Sequence, residues 1–263
     1  MNAMGLDPAR ELTGPVALCD ADGRLNPDAA GWSRRPLHTC NLRGAPLRKK
    51  RWNYWCVMGE HALFSPTIAN IDYAAFGAVY FLDYAGNRFA ESASFRLLPR
   101  GFAMPETVAG DVAFERGKFR LTMRERAGGV RIEFDGPVQG RPMRAAFDVA
   151  RPEDHDTLNV VVPWSARRFQ FTSKQTALPA VGEVRWGGET HVFAEGASWA
   201  TLDYGRGVWP YRTVWNWAAA AGRCGEHVIG LNLGAQWTIG TGATENGVVV
   251  DGHLHKLHED VVF

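Results

Sequence analysis

An all-β fold of antiparallel barrels or sandwiches is predicted by two features of the sequence. Short alternating apolar runs are joined by turn residues, and 29 glycines and 14 prolines interrupt nearly every window of helical length. In LTMRERAGGVRIEF, Leu121 and Met123 face Val130, Ile132 and Phe134 across a bend at Gly128-Gly129, a hairpin with one apolar face. EVRWGGETHVF repeats the pattern, with Val184 and Trp186 leading into Gly187-Gly188 and His191 and Phe193 leading out. VVVDGHLHKL turns at Asp251-Gly252, and AVYFLDYAGNRFAES turns through Ala85-Gly86-Asn87. Several short strands at regular spacing make a sandwich or a barrel. The polar stretch ARPEDHDT separates two hairpin-rich halves. The chain therefore divides into an N-terminal arm with loops (1–50), a first β-barrel half (51–150) and a second (151–263). No internal repeat stands out.

Composition narrows the function classes. A chain of 263 residues that is 46% hydrophobic and 22% charged buries a substantial core. The net charge of +1 gives no global attraction to nucleic acid or anionic membrane, and the basic run LRKKRW reads as a solvated face. The apolar run AAFGAVYFL is far shorter than the roughly 20 residues of a spanning helix, so no transmembrane segment is expected. MNAMGLDPARELTG has no basic start followed by an apolar stretch, so no secretory signal is expected. Cys19, Cys40, Cys56 and Cys224 form no CxxC pair, which predicts reduced thiols in a cytoplasmic, bacterial-type protein. GTGATENG lacks the P-loop lysine, and no GxSxG elbow occurs. No cofactor is expected. In HLHKLHED, His253 and His255 share a strand face, but surface histidines explain the run equally well and no metal site is assigned.

The aromatic segments carry most of the functional signal. On a strand, WNYWC puts Trp52 and Tyr54 on one face and Asn53 and Trp55 on the other. In LDYGRGVWPYRTVWNWA, Gly205 and Gly207 shape a turn and Pro210 excludes a central ladder position. TVWNWA follows as a strand with Trp215 and Trp217 on one face. Asp203, Arg206 and Arg212 lie in this apolar company and must be exposed, paired or functional, because burying an unpaired charge is costly. One reading pairs Asp203 with Arg206 or Arg212 under a Trp-rich core; the other is a ligand cavity with a few convergent polar groups. Trp209, Tyr211, Asn159, Trp164, Lys174, Glu245 and Asn246, polar or aromatic residues in similar settings, join the candidates.

GWSRRPLHTCNLRG, KKRWNYWCV, TIANIDYA, LNVVVPWSARRFQFTSKQ, LDYGRGVWPYRTVWNWA and GLNLGAQWTIGTGATENG together resemble a bacterial family known as domain of unknown function 2804. The resemblance runs from about Leu25 to Phe263. It implies a protein without an established biochemical role, with further strands beyond the equivalent of Phe263. More distantly, the chain is similar in architecture to twin-lipocalin proteins, the group of carotenoid 1,2-hydratase and tocopherol cyclase. That similarity implies consecutive lipocalin-like barrels, the second one incomplete here.

Three functions are open. The first choice is binding of a hydrophobic small molecule or lipid in a Trp-lined cavity, with Arg206, Arg212 or Lys174 anchoring a carboxylate or phosphate head group. The second is an enzyme of hydratase or cyclase type acting on an isoprenoid-like substrate. Asp203 would be its general acid, and Trp209, Trp215 and Trp217 would stabilise a cation by about 0.5–2 kcal/mol each. The third is a structural protein whose tryptophans fill a core.

Overall fold

The computed structural model of the protein describes residues 4–99 and 101–263. The N-terminal segment contributes β1 (Val16–Ala17), one turn of 3-10 helix (Pro27–Ala29), β2 (Trp32–Ser33) and β3 (His38–Thr39). Four antiparallel strands then meander through β4 (Lys49–Met58), β5 (Ala62–Asn70), β6 (Ala74–Asp83) and β7 (Arg88–Leu97). A second run follows with β8 (Val112–Arg116), β9 (Phe119–Arg126), β10 (Gly129–Val138) and β11 (Arg141–Ala150). Next come β12 (Leu158–Ser165), the long β13 (Arg168–Trp186), β14 (Glu189–Phe193) and β15 (Trp199–Val208). The chain closes with β16 (Asn216–Cys224), β17 (His227–Ala235), β18 (Asn246–Val250) and β19 (His253–Leu257). No α-helix occurs among the described residues, and no helix is long and apolar enough to cross a membrane.

All four predicted hairpins form, each with the turn its residues allow. Trp186 pairs with Glu189 and Val250 with His253, leaving Gly187-Gly188 and Asp251-Gly252 as two-residue loops. Both residues of each loop have positive φ, the requirement of the turn that matches strand twist. One bend moves by a residue: Arg126 pairs with Gly129, so Ala127-Gly128 is the loop and Gly129 already belongs to β10.

One continuous ladder in the order β7-β6-β5-β4-β15-β13-β11-β10-β9-β8 curls into a nearly closed barrel. The ladder crosses the polar stretch at 150–157: β4 pairs with β15, and β11 with β13. The long strand makes this possible. β13 carries β12 and β15 on its first part, and β11 and β14 on its second. Its register with β15 shifts between Gln175 and Leu178, where Ala177 has a φ of 57°. Such a bulge bends a strand and sharpens its twist, letting one strand serve two sheet directions. The β16-β17-β18-β19 sheet stands apart from this ladder.

Strand alternation sorts the side chains into two cores. Trp55, Val57, Phe169, Phe171, Leu202 and Tyr204 join the barrel core. There the rings of Phe64, Phe147 and Phe193 stack or meet edge to face at 4.9–5.4 Å, and the interior is filled. The intervening residues of β12, including Leu158, Val160 and Val162, join Trp209, Trp237, Val249 and Leu254 in a second cluster under the four-stranded sheet. In β12 both faces are largely apolar, which is why Val160, Val161 and Val162 run without polar interruption.

One buried titratable group belongs to the scaffold. The His38 ring lies 4.5 Å from Phe171, and its Nε2 is 3.0 Å from the Ala29 carbonyl. Burial holds the imidazole down from 6.5 to about 4, against the opposing pull of the Ala29 hydrogen bond. The unfolded chain therefore takes up this proton first as pH falls, and the folded state loses up to about 3 kcal/mol between pH 6.5 and 4. Urea unfolding at pH 7 and pH 4.5 should show this loss, and His38→Gln should show a shallower dependence on pH across the same interval.

Candidate functional site

Strand β4 lays down one wall by simple alternation. Lys50, Trp52 and Tyr54 point to the second cluster, while Lys49 and Arg51 turn the other way and share Asp72 at 3.0 and 3.6 Å. Trp55, on the face of Asn53, is 1% exposed in the barrel core. Opposite Trp52 in the register stands Gly205. A Cβ there would come within 2.1 Å of the indole, so the bare backbone is what lets Trp52 lie against β15. Gly207 does the same for Gln170, whose Oε1 would be 2.2 Å from a Cβ and accepts the Trp209 indole N–H at 2.7 Å.

The residues from Trp209 onward close the site. Trp209 stacks on Trp237 at 5.8 Å and 7° and meets Trp52, Trp164 and Trp215 edge to face. Arg48 secures this loop, donating to the Trp209 carbonyl at 2.6 Å and lying 3.4 Å from the centre of the Tyr211 ring. The cavity is open on one side and measures about 470 Å³, and Trp52, Trp209, Trp215, Trp217 and Trp237 line it together with Tyr54, Thr67 and Phe76.

At one end three charges meet. Lys174 Nζ lies 2.9 Å from Asp203 Oδ1 and 3.0 Å from Glu245 Oε2. Lys174 and Asp203 are cross-strand partners on β13 and β15, whereas Glu245 arrives from the glycine-rich loop before β18. Glu245 reaches across β17 because Gly234 has no side chain: a Cβ there would lie 1.8 Å from Glu245 Oε1. The same oxygen accepts the Trp237 indole N–H at 2.7 Å. Thr172 Oγ1 donates to Asp203 Oδ1 at 3.3 Å, and Lys174 Nζ sits 5.0 Å from the Trp217 ring centre. Lys174 and Glu245 are almost fully enclosed, while the Asp203 side chain keeps 18% exposure toward the cavity. Burial pulls the Lys174 ammonium toward its neutral form, but Asp203 and Glu245 outweigh it and raise its pKa. Burial raises the Glu245 carboxyl, with Lys174 opposing. Burial also raises the Tyr54 phenol.

The expected Asp203–Arg206 and Asp203–Arg212 pairs are corrected by this arrangement. Residues three apart on a strand face opposite ways, so Arg206 enters the side away from Asp203. Its guanidinium donates to the carbonyls of Trp52, Gly205 and Pro105 and to Asn53 Oδ1, 3.7 Å from the Tyr204 ring centre. Arg212 is exposed in the 209–215 loop, and Tyr211 is 89% exposed. Neither arginine reaches the cavity as a head-group anchor, and Lys174 is occupied by two carboxylates. Asn159 and Asn246 are fully buried braces: Asn159 Nδ2 donates to Thr157 Oγ1 and the Ser33 carbonyl, and Asn246 bonds the Gly234 N–H and the Glu259 carbonyl. Trp164 stands behind the wall, donating to the Trp237 carbonyl at 2.7 Å. Of the candidates, Trp52, Lys174, Asp203, Trp209, Trp215, Trp217 and Glu245 line the cavity together. Lys50, Tyr54, Thr67, Ala69, Ile71, Phe76, Thr172 and Trp237 complete it and were not among them; the shared strand face with Trp52 was the available signal for Lys50 and Tyr54. His253 and His255 are exposed on β19, and among the described residues no group of three or more His, Cys, Asp or Glu is placed to hold a metal ion.

The segments that build this site are those whose spelling suggested a family. The chain belongs to the family described as a domain of unknown function (DUF2804), whose sequence profile matches residues 9–263. No curated protein matches it in sequence. Among solved structures this DUF2804 chain is similar to kievitone hydratase from Nectria haematococca at a TM-score of 0.50 and 8% identity, covering 79% of this chain and 63% of that one. It is also similar to a protein from Nitrosomonas europaea designated an AttH, at a TM-score of 0.49 and 13% identity over 79% of this chain and 67% of that one. The chain thus spans about two thirds of the length of each. The fold is a lipocalin-like antiparallel β architecture with one nearly closed barrel.

Two outcomes follow from the geometry. Lys174→Met leaves two buried carboxylates without their cation, and chemical unfolding at pH 7 should show a loss of about 3–5 kcal/mol. Without that cation Glu245 takes up a proton more readily in the folded state, so the deficit should narrow as pH falls. Gly205→Ala forces the Trp52 indole off β15 and should cost about 1–3 kcal/mol, with a changed near-UV circular dichroism signal.

Proposed function

We propose that this protein binds an apolar small molecule or lipid in the cavity between the barrel wall and the four-stranded sheet. The observation that carries the reading is the segregation of the lining: tryptophan rings bound most of a 470 Å³ space, and the charged groups lie at its two ends, Lys50 at one and Asp203, Lys174 and Glu245 at the other. Cavities of about 300–1,000 Å³ with a mostly apolar lining and few polar groups are the usual form of small-molecule sites. The barrel interior, by contrast, is packed with buried phenylalanines, among them Phe64, Phe81, Phe134, Phe147 and Phe193.

A second reading is catalytic, an acid-assisted addition to an alkene of an isoprenoid-like substrate, and the similarity to a hydratase gives it the same fold and no more. Asp203 facing an aromatic cavity favours it, since ring faces stabilise a developing cation. The ammonium 2.9 Å away opposes Asp203 as the acid, because it matches a carboxylate and not a proton donor. Glu245, raised by burial, is the better holder of a proton, but it is 2% exposed and sits behind Lys174.

Native mass spectrometry and solvent extraction of the purified protein separate the readings. Binding predicts an apolar compound released unchanged, lost in Thr67→Trp, which fills the cavity, and retained in Asp203→Asn. A chemically altered product that disappears in Asp203→Asn or Glu245→Gln would favour catalysis. Wild-type and Thr67→Trp proteins that carry the same compounds would contradict both.

A further inference from the structure

We infer that the ligand of this cavity is an amphipathic anion, an apolar carboxylic acid whose head group is held by Lys50 at the end remote from Asp203. The inference rests on the binding reading above and adds the ligand's charge and its direction in the site.

Lys50, Trp52 and Tyr54 form a row on one face of β4, and their partners across the ladder on β15 are Gly207, Gly205 and Asp203. Lys50 and Tyr54 are four residues apart, or roughly 13 Å along the strand. The cavity therefore has a cation at one end, indoles in the middle, and the Asp203–Lys174–Glu245 cluster at the other.

The two cations are in opposite circumstances. Lys174 has two carboxylates within 3.0 Å and nothing left to offer. The Lys50 ammonium has no carboxylate at ion-pair distance and no side-chain hydrogen bond among the described residues; its Nζ lies 5.0 Å from the Trp209 ring centre. Its neighbours Lys49 and Arg51 share Asp72 on the opposite face, so that carboxylate is already taken. Gly207 opposite Lys50 brings no side chain to cover it. The half-buried ammonium has an indole beside it and no protein acceptor among the described residues, and burial, with Arg48 nearby, lowers its proton affinity. A ligand carboxylate supplies the missing acceptor in surroundings where such a bond is strong.

The far end enforces the orientation. A carboxylate placed there would meet the exposed edge of Asp203, with Lys174 already satisfied, and like charges at that distance repel. The tail or a hydrogen-bond donor of the ligand belongs at Asp203, and the acid belongs at Lys50.

Decanoate, decan-1-ol and decyltrimethylammonium share a tail and differ in head charge. Their titration into the whole protein at pH 8 and low salt, followed by tryptophan fluorescence, tests the inference. Decanoate should bind about tenfold tighter than decanol, equivalent to about 1.4 kcal/mol, with the cation weakest. In Lys50→Met the preference for decanoate over decanol should collapse to within about twofold, and Lys50→Arg should keep it. Equal binding of decanoate and decanol by the wild type would overturn the head-group assignment and leave the binding reading standing. So would a preference that survives in Lys50→Met. Binding of none of the three would overturn both.

Discussion

The site depends on one ammonium group buried between two carboxylates. Removing Lys174, Asp203 and Glu245 from water costs several kcal/mol per ion, and contacts of 2.9 and 3.0 Å are what offset that loss. The cluster also has an architectural consequence. Lys174 and Asp203 belong to the long ladder, Glu245 to the loop entering β18, so the three charges tie the separate four-stranded sheet to the barrel wall. The Trp237 indole N–H on Glu245 and the Asn232 side chain, which bonds both Trp217 and the Glu245 carbonyl, extend that tie into the aromatic lining.

The cavity is not the lumen of the barrel. Strand alternation sends Trp55, Phe171 and Tyr204 inward to a filled core and sends Trp52, Thr172 and Asp203 outward. What would be solvent-facing strand surface in a lone barrel becomes the floor of a site once β16–β19 and the 209–215 loop lie over it. Three glycines shape that floor: Gly205 under Trp52, Gly207 beside Gln170, and Gly234 under Glu245. In each case the absent side chain makes room for one that defines the wall.

Much of this was legible in the chain. Gly187-Gly188 and Asp251-Gly252 announce their hairpins because positive φ at both turn positions restricts the choice of residue. The same-face pairing of Trp52 with Tyr54 follows from a period of two, whereas the strand expected from Thr213 begins only at Asn216, so Trp215 joins Trp217 at the cavity from the 209–215 loop and not by strand alternation. The face itself did not follow. Arg206, Asn159 and Asn246 are polar residues among apolar ones, as Lys174 and Glu245 are, yet they bond backbone carbonyls and loop groups rather than the cavity. Nothing local separates a brace from a lining residue; only pairing partners 12 to 154 residues away do. Lys50 was hidden by its company, since a run of four basic residues resembles a solvated face until alternation divides it between Asp72 and the tryptophans.

The central claim is that the tryptophans around Asp203 bound a ligand cavity while the others are packing. Fluorine NMR of protein labelled with 5-fluorotryptophan resolves the ten tryptophans individually once each is assigned by substitution with phenylalanine. On titration with decanoate, the account predicts shifts concentrated at Trp52, Trp209, Trp215, Trp217 and Trp237, with Trp55 and Trp186 in the barrel core unmoved. Shifts spread evenly over all ten, or centred on Trp55 and Trp186, would contradict it.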